Sequence, residues 1–395
     1  MHLKAFFSSV WRRYVKSPAE KRKRKKRASR WISELPVLPQ RGTPAKKTLL
    51  IIRVDDIGDY ILFRPALESL RKSKKYGDWR ISLLGNRVWA GLFEALDAGF
   101  TDEFIPLDKG RWFSDPIFRQ NFLRQLYQQA APAEVWLASR TRHFFLEDIL
   151  VHAFPDSRLW TCGENFSDYP DRAERNFIAA QNRTNIFPDA TNNHEWLFNQ
   201  EFTEKICGHS DFKSLPKPEH KSPPRIRKPY TVFFPGASAG SKRWPARNFA
   251  QLACLLTERK QLSLCIAGSA EDSLLAAQIL KCLPGGLQTV DFCGKTDLVQ
   301  LIILLQGADL VVSNDTGAAH IAALSGVPLI ALCNGSKYGR FFPYPPEFEH
   351  VVTIYPEKPR EAFSQTHFDM ARIKPEEVFR IINNFGHQAG YSNPD

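Results

Sequence analysis

Four short loops contain the residue types in this sequence that could do chemistry. They are Asp55–Tyr60 (DDIGDY), Pro235–Pro245 (PGASAGSKRWP), Ala267–Asp272 (AGSAED) and Asn314–His320 (NDTGAAH). Carboxylates can take a proton from an attacking hydroxyl, and small residues let backbone N–H groups approach an anion. Lysine next to a helix N-terminus adds positive charge for a phosphate. The loops therefore predict a site for a phosphate-bearing ligand that includes a general base.

The first loop places three carboxylates directly after an apolar run. Gly58 permits a tight turn, and Asp59 then stands at the start of the next helix. Asp59 could there simply complement the helix dipole. Because Asp55 and Asp56 stand beside it, the cluster favours a functional loop. Asp59 is the candidate base, and Asp55, Asp56 and Gly58 are candidates for the acceptor side.

The second and third loops carry candidates for binding a phosphate and a sugar. Ser238 offers a hydroxyl, Lys242 offers a positive charge, and the helix that follows presents its N-terminus. The spacing is not that of a P-loop. In the third loop, Glu271 after Gly268 is typical of a contact with a ribose hydroxyl, and helix capping explains the same residues nearly as well.

The fourth loop, Asn314–His320, leads from a strand into a helix. It places Asp315, Thr316 and Gly317 at the helix N-terminus, where free N–H groups favour a diphosphate, and His320 follows one turn later. The alternatives are that Asp315 and Thr316 only cap the helix and that His320 is a core residue. The loop is therefore a candidate binding site for a diphosphate.

Alternating apolar strands and helices must position these loops. Thr48–Val54 and Tyr230–Phe234 each begin a block in which strands alternate with helices, a pattern typical of parallel βαβ units. A single helix is predicted from Tyr60 to Lys74, and residues 163–195 are predicted to be irregular. The predicted domains are an extension at 1–45, an acceptor-binding domain at 46–212, a proline-rich linker at 213–229, a donor-binding domain at 230–370 and a C-terminal helix and tail at 371–395.

The net charge of +12 belongs to the N-terminal tail. Residues 1–30 hold twelve Lys or Arg and one Glu, which gives +11, so the remaining residues sum to +1. This distribution argues against a broad nucleic-acid-binding surface. Apolar residues at helical spacing in residues 1–14, followed by the basic run Lys21–Arg27, favour an anionic membrane surface. A solvated tail and a nucleic-acid or nuclear-targeting segment are the alternatives.

The sequence lacks the patterns of several other protein classes. The apolar runs are too short to cross a membrane as a helix. The seven cysteines are scattered without C-x-x-C spacing, which favours reduced thiols in a cytoplasmic protein. No D-x-D motif follows a strand of the second block, so no metal site is predicted.

Taken together, the loops resemble glycosyltransferase family 9, the ADP-heptose:lipopolysaccharide heptosyltransferases, over about residues 48–345. The motifs that carry the resemblance are Ile52–Asp59, Lys242–Pro245, Cys293–Thr296, Ser313–His320 and Gly326–Pro328. The resemblance implies the α/β GT-B fold, in which two Rossmann-like, doubly wound domains face a central cleft. The Asp55 and Asp56 positions and the basic extension depart from the family pattern.

The resemblance also implies a reaction. Asp59 would be the base, Lys242 would stabilise the leaving diphosphate, and Asp315, Thr316, Gly317 and His320 would bind the donor, with Glu271 a weaker contact. The expected enzyme is an inverting, metal-independent transferase without a cofactor. It would move a sugar, heptose from ADP-heptose by family expectation, onto a lipid-linked or polysaccharide acceptor such as lipopolysaccharide core. We expect it on the cytoplasmic face of the inner membrane, held peripherally by residues 1–30.

Two other functional classes fit the same architecture. A nucleotide-sugar 2-epimerase would use a similar donor site and release no nucleotide diphosphate. A scaffold that binds membrane or glycan, with a relict sugar site, would have no affinity for nucleotide sugars. The donor sugar and the acceptor are both left open by the sequence.

Overall fold

The computed structural model describes residues 18–38, 45–129, 131–162, 172–181, 183–185, 194–218, 226–257, 262–356 and 368–388. Its contacts divide the chain into two compact units. The first unit comprises Met1–Asp56, Phe63–Asn192 and Leu197–Phe212, and the second comprises Ile57–Leu62, Asn193–Trp196 and Lys213–Asp395. The short segments Ile57–Leu62 and Asn193–Trp196 therefore belong to the second unit, although their neighbours in sequence belong to the first.

The first unit is built on a parallel sheet. Its strands are β1 Ala45–Arg53, β2 Arg80–Asn86, β3 Glu103–Leu107, β4 Pro132–Leu137, β5 Arg158–Thr161 and β6 Arg183–Asn185. The spatial order is β3-β2-β1-β4-β5-β6. The central strand β1 is buried from Leu49 onward, which explains its unbroken apolar run.

The second unit repeats this plan. Its strands are β7 Tyr230–Phe234, β8 Ser263–Ile266, β9 Thr289–Asp291, β10 Leu310–Asn314, β11 Leu329–Leu332 and β12 Val351–Ile354. They are parallel and run in the order β12-β11-β10-β7-β8-β9. Numbered within each unit, both sheets have the order 3-2-1-4-5-6 of a doubly wound fold. The predicted class, two Rossmann-like α/β domains, is confirmed.

Helices connect the strands of both sheets. The α-helices of the described residues are α1 Pro18–Ser33, α2 Ile57–Phe63, α3 Pro65–Lys72, α4 Ala90–Leu96, α5 Lys109–Ser114, α6 Pro116–Gln129, α7 Arg172–Ala179, α8 Glu195–Cys207, α9 Ala246–Thr257, α10 Ser273–Lys281, α11 Leu298–Gln306, α12 Gly317–Leu324 and α13 Pro375–Gln388. None of the described helices is long and apolar enough to cross a membrane.

The basic run of the extension forms part of helix α1, which packs on the first unit. Ala28 and Trp31 are buried in the same apolar core as the sheet. The ring of Trp31 lies edge-on to Phe145, with 5.2 Å between centroids. Arg24 pairs with the fully buried carboxylate of Glu174 at 3.0 Å. Residues 1–14, which the sequence predicts as an amphipathic segment, lie outside the described residues.

Two predictions about local structure are wrong. The helix predicted from Tyr60 to Lys74 is two helices, α2 and α3, because Pro65 begins α3 and has no N–H to continue α2. Residues 163–195, predicted to be irregular, contain helix α7 and the short strand β6. The region is polar, and polar segments carry no clear strand or helix pattern. Strand β6 is also hard to predict because it has only three residues and lies at the edge of the sheet.

Candidate active site

The second sheet brings two of the predicted loops together. Strands β7 and β10 are hydrogen-bonded neighbours, and the strand order reverses between them. Ligands of doubly wound sheets bind beyond the carboxyl ends of the strands at this point. The loop Pro235–Pro245 follows β7, and Asp315 follows β10, so both meet at the expected edge.

The side chain of Asn314 joins the end of β10 to the loop Pro235–Pro245. Its Nδ2 donates to the carbonyl of Pro235 at 2.8 Å, and its Oδ1 accepts from the N–H of Trp244 at 3.1 Å. Asn314 is fully buried at the end of β10. One buried amide therefore fixes both ends of the Gly/Ser loop, and the residues between them are free to line a site.

Lys242 and Asp315 form an ion pair at this edge. Lys242 ends a one-turn 3-10 helix, Gly240–Lys242, and its Nζ lies 2.6 Å from Asp315 Oδ2. The lysine side chain is 16% exposed and the aspartate 7%. Asn334 supports the turn by donating to the carbonyl of Ser241 at 2.9 Å. A positive charge is thus held at the carboxyl edge with little freedom to move.

Helix α12 begins directly after Asp315. Thr316 is its N-cap residue but makes no side-chain capping bond, and its hydroxyl lies 3.2 Å from the Ser313 hydroxyl. The N–H groups of a first helical turn have no partner within the helix and carry partial positive charge. Together with Lys242, they make this end of α12 chemically suited to an anion.

His320 lies inside the second unit and is 3% exposed. Its Nδ1 is 2.8 Å from the Tyr344 hydroxyl, and its ring stacks on Phe342 with 5.1 Å between centroids. Burial is the main cause that lowers its pKa to about 3. The imidazole is therefore neutral at ordinary pH. A direct donor contact by His320 stays a prediction.

The burial of His320 predicts a pH dependence of folding. The pKa of an ordinary histidine is 6.5, so the unfolded chain binds a proton below that pH while the folded chain does not until about pH 3. Stability is therefore fully present above about pH 6.5 and lost as the pH falls. Between about pH 6 and 4, wild type should lose about 1.4 kcal/mol per pH unit more than His320→Gln, measured by urea unfolding. Equal slopes would contradict this prediction.

The backbones of two loops approach closely beside His320. A Cβ atom on Gly58 would lie 2.8 Å from His320 Cδ2, and one on Gly317 would lie 3.3 Å from the nitrogen of Gly58. The two glycines therefore allow the start of α2 to pack against the start of α12. This packing explains why the segment with Asp59 belongs to the second unit.

We expect Gly58→Ala to destabilise the protein by about 1–3 kcal/mol, because the added methyl group overlaps the buried His320 ring. Denaturant unfolding measures this change. Gly91→Ala is the matched control, since a Cβ there meets nothing within 4 Å. The two variants having the same stability would contradict the close approach.

Asp59, the candidate base, is bound to a residue that the sequence analysis missed. Arg340 Nη2 donates to Asp59 Oδ1 at 3.1 Å, and Arg340 Nε donates to Glu195 Oε2 at 3.0 Å. The three residues are far apart in sequence, so only the fold brings them together. The run Tyr338–Pro343 was the available signal, because an arginine among aromatic residues on a loop is unusual for a simple connection.

Asp55 and Asp56 have contacts within the first unit. Asp55 accepts from Arg53 Nε at 3.0 Å, and its carbonyl accepts from Asn86 and Trp89. Asp56 is 81% exposed and pairs with Lys109 at 2.9 Å. Asp55 therefore has a structural contact in the loop after β1, and Asp56 is open to solvent.

The remaining predicted residues lie on the loops after β7 and β8. Ser238 and Glu271 are both exposed. Asp272 is instead buried and accepts from Ser269 N at 2.9 Å. A Cβ on Gly236 would lie 2.3 Å from its carboxylate, so this glycine makes room for Asp272. Among the described residues, no group of three or more His, Cys, Asp or Glu side chains is placed to hold a metal ion.

Comparisons with known proteins support the assignment of the second half of the chain. Residues 174–367 match the family model described as glycosyltransferase family 9 (heptosyltransferase). Lipooligosaccharide heptosyltransferase 2 of Haemophilus ducreyi is 34% identical over 170 residues, 40% of this chain and 47% of the relative. The chain thus spans about half the length of the curated relatives it matches.

Solved structures support the fold of both units. Escherichia coli heptosyltransferase WaaC with ADP superposes with a TM-score of 0.64 at 16% identity, over 86% of this chain and 99% of that one. E. coli ADP-heptose lps heptosyltransferase II gives a TM-score of 0.59 at 19% identity, over 87% and 99%. The two-sheet GT-B class predicted from the sequence is therefore confirmed. Through residues 174–367 the chain is similar to glycosyltransferase family 9, the heptosyltransferase family.

Proposed function

We propose that this chain is an inverting glycosyltransferase that transfers heptose from ADP-heptose to lipopolysaccharide core or a related cell-surface glycan. The observation that carries the proposal is the Lys242–Asp315 pair, 2.6 Å apart, at the switch point of a sheet within the matched segment. A largely covered cation beside a helix N-terminus suits a nucleotide diphosphate. The relatives named above are heptosyltransferases, which supports the choice of sugar.

The proposed reaction is one in-line displacement. The acceptor oxygen forms a bond to the anomeric carbon while the bond from that carbon to the diphosphate oxygen breaks, so the configuration inverts and ADP leaves. Asp59 takes the acceptor's proton. Lys242 and the first turn of α12, from Gly317, neutralise the charge that grows on the diphosphate, and Thr316, Ser238 and Glu271 bind the donor. No metal ion or cofactor takes part.

Release of ADP tests the proposal. Purified protein is incubated with ADP-heptose, with and without heptose-deficient lipopolysaccharide, and ADP and the sugar product are measured. We expect ADP release that requires the acceptor and continues in EDTA. Loss of activity in EDTA would contradict metal independence. A changed sugar without free ADP would indicate an epimerase, and no binding of ADP-heptose would indicate a scaffold.

The proposed acceptor is lipid-linked, so the enzyme works at a membrane surface on the cytoplasmic side. Support comes from α1, where exposed basic residues follow one another at Arg22, Lys23, Lys25, Lys26 and Arg27. Two apolar side chains of the same unit are exposed: Phe113 on α5 is 37% exposed and Ile117 on α6 is 72% exposed. The ring of Phe113 is 6.1 Å from that of Trp31. Basic and apolar groups side by side suit an anionic bilayer.

We expect the double variant Phe113→Ser/Ile117→Ser to bind less to vesicles that contain anionic phospholipid, measured by co-sedimentation, because it loses apolar surface that enters the bilayer. Leu274→Ser, which alters a 77% exposed leucine on α10, is the matched control. Raising the salt concentration should weaken wild-type binding. Equal binding by the two altered proteins would contradict this surface.

A further inference from the structure

Arg340 links two carboxylates of the second unit. Its guanidinium donates from Nη2 to Asp59 and from Nε to Glu195, at 3.1 and 3.0 Å. The Glu195 side chain is fully buried, while those of Asp59 and Arg340 are 17% and 25% exposed. The contact between Arg340 and Asp59 is therefore accessible to solvent, whereas the Glu195 carboxylate is closed to water.

Glu195 holds Arg340 through both main chain and side chain. The N–H of Glu195 donates to the carbonyl of Arg340 at 2.7 Å, in addition to the ion pair between their side chains. His194 Nε2 lies 2.8 Å from the carbonyl of Phe341. The segment that starts α8 is thus attached to the loop after β11 at successive residues. The arginine has little freedom to turn away.

The ion pair between Arg340 and Glu195 is harder to break than the one between Arg340 and Asp59. Removing the partner of a buried carboxylate leaves an uncompensated charge, which is strongly unfavourable. Arg340 therefore stays on Glu195. Its contact with Asp59 is at the partly exposed end, where solvent or a substrate can reach. A fixed cation beside a carboxylate orients that carboxylate and favours its ionised form.

We infer that Arg340 and Glu195 are positioning residues for Asp59: Glu195 fixes Arg340, and Arg340 orients the Asp59 carboxylate and sets the pH range in which it acts. This inference rests on the proposed role of Asp59 as the base. Neither residue needs to touch the substrate.

The pH dependence of the reaction distinguishes this role from a merely structural one. Arg340→Gln removes the cation beside Asp59, so the acid-side fall of kcat/KM should move to higher pH by about 1 unit. Glu195→Gln removes a competing negative charge from Arg340, so the same limb should move to lower pH. Arg340→Lys keeps the positive charge, so its acid-side fall of kcat/KM should occur at the same pH as in wild type. Damage to packing alone would not move the acid-side fall of kcat/KM in opposite directions in Arg340→Gln and Glu195→Gln.

The matched controls lie on α13 of the same unit. Arg380 and Glu377 are exposed there, and Arg380→Gln and Glu377→Gln should leave the profile unchanged. If the acid-side fall of kcat/KM stayed at the wild-type pH in both Arg340→Gln and Glu195→Gln, the inference would be overturned. Asp59→Asn is assayed beside them: if that variant keeps full turnover, the base assignment fails, and the proposed mechanism fails with it.

A second measurement works without turnover. Carbon-13 labelling of aspartate carboxyl groups lets NMR follow the titration of Asp59, whose signal is identified by its loss in Asp59→Asn. We expect its midpoint to rise in Arg340→Gln and to fall in Glu195→Gln. An identical midpoint in both variants and wild type would overturn the inference, whatever substrate the enzyme uses.

Discussion

Asp59→Asn should lower kcat for sugar transfer by about 10²–10⁴-fold, the range that a positioned general base contributes. The amide oxygen of asparagine can still accept the hydrogen bond that Arg340 donates to Oδ1. The geometry is therefore kept while the ability to take a proton is lost. The rate is measured as ADP released under saturating donor and acceptor.

A binding measurement and a control variant separate lost chemistry from lost binding. Calorimetry should give the same affinity for ADP-heptose in Asp59→Asn as in wild type, because the proposed phosphate contacts lie on Lys242 and α12. Asp78→Asn is the matched control, since the Asp78 side chain is 62% exposed, pairs with Lys47 and has no proposed part in the site. Undiminished turnover in Asp59→Asn, or an equal loss in Asp78→Asn, would contradict the assignment of Asp59 as the base.

Lys242→Met should lower kcat by about 10²–10³-fold, as expected when one preorganised donor to a developing negative charge is removed. The lysine is well placed for this role because Asp315 and the turn at Ser241 hold it in position. ADP release measures the rate. Lys281→Met, at the exposed end of α10, is the control for loss of a positive charge.

Lys242→Met has a side effect that a second variant removes. Asp315 is 7% exposed, so losing its cation should also reduce stability. Lys242→Met/Asp315→Asn removes both charges and should recover most of that stability without recovering turnover. If the double variant regained wild-type turnover, Lys242 would serve only to neutralise Asp315.

The central strands could be predicted from the sequence, and the edge strands β6 and β9 could not. The runs TLLIIR and YTVFF are buried in the middle of their sheets, so continuous apolar character identified them. Strands β6 and β9 lie at sheet edges and have three residues each, Arg183–Asn185 and Thr289–Asp291. Short, partly polar segments carry no such pattern, because an edge strand needs little apolar surface.

The candidate site was predictable where it follows strands. Lys242 lies in the Gly/Ser loop after β7, Asp315 directly follows β10, and the pairing of these two strands places both at one edge of the sheet. Arg340 and Glu195 were missed because the run Tyr338–Pro343 does not show which acidic residue its arginine meets, and the start of α8 has no motif of its own. Their pairing depends on a contact across 145 residues, which one sequence cannot reveal.

The attachment of α1 has a practical consequence for work with shortened chains. A protein trimmed to begin at β1 would lose Trp31 from the core and Arg24 from the buried Glu174. The apolar surface uncovered on Phe145 and its neighbours would then be free to meet other molecules. Such a fragment should aggregate at concentrations where the full chain stays dispersed, even though every residue of the family match would still be present.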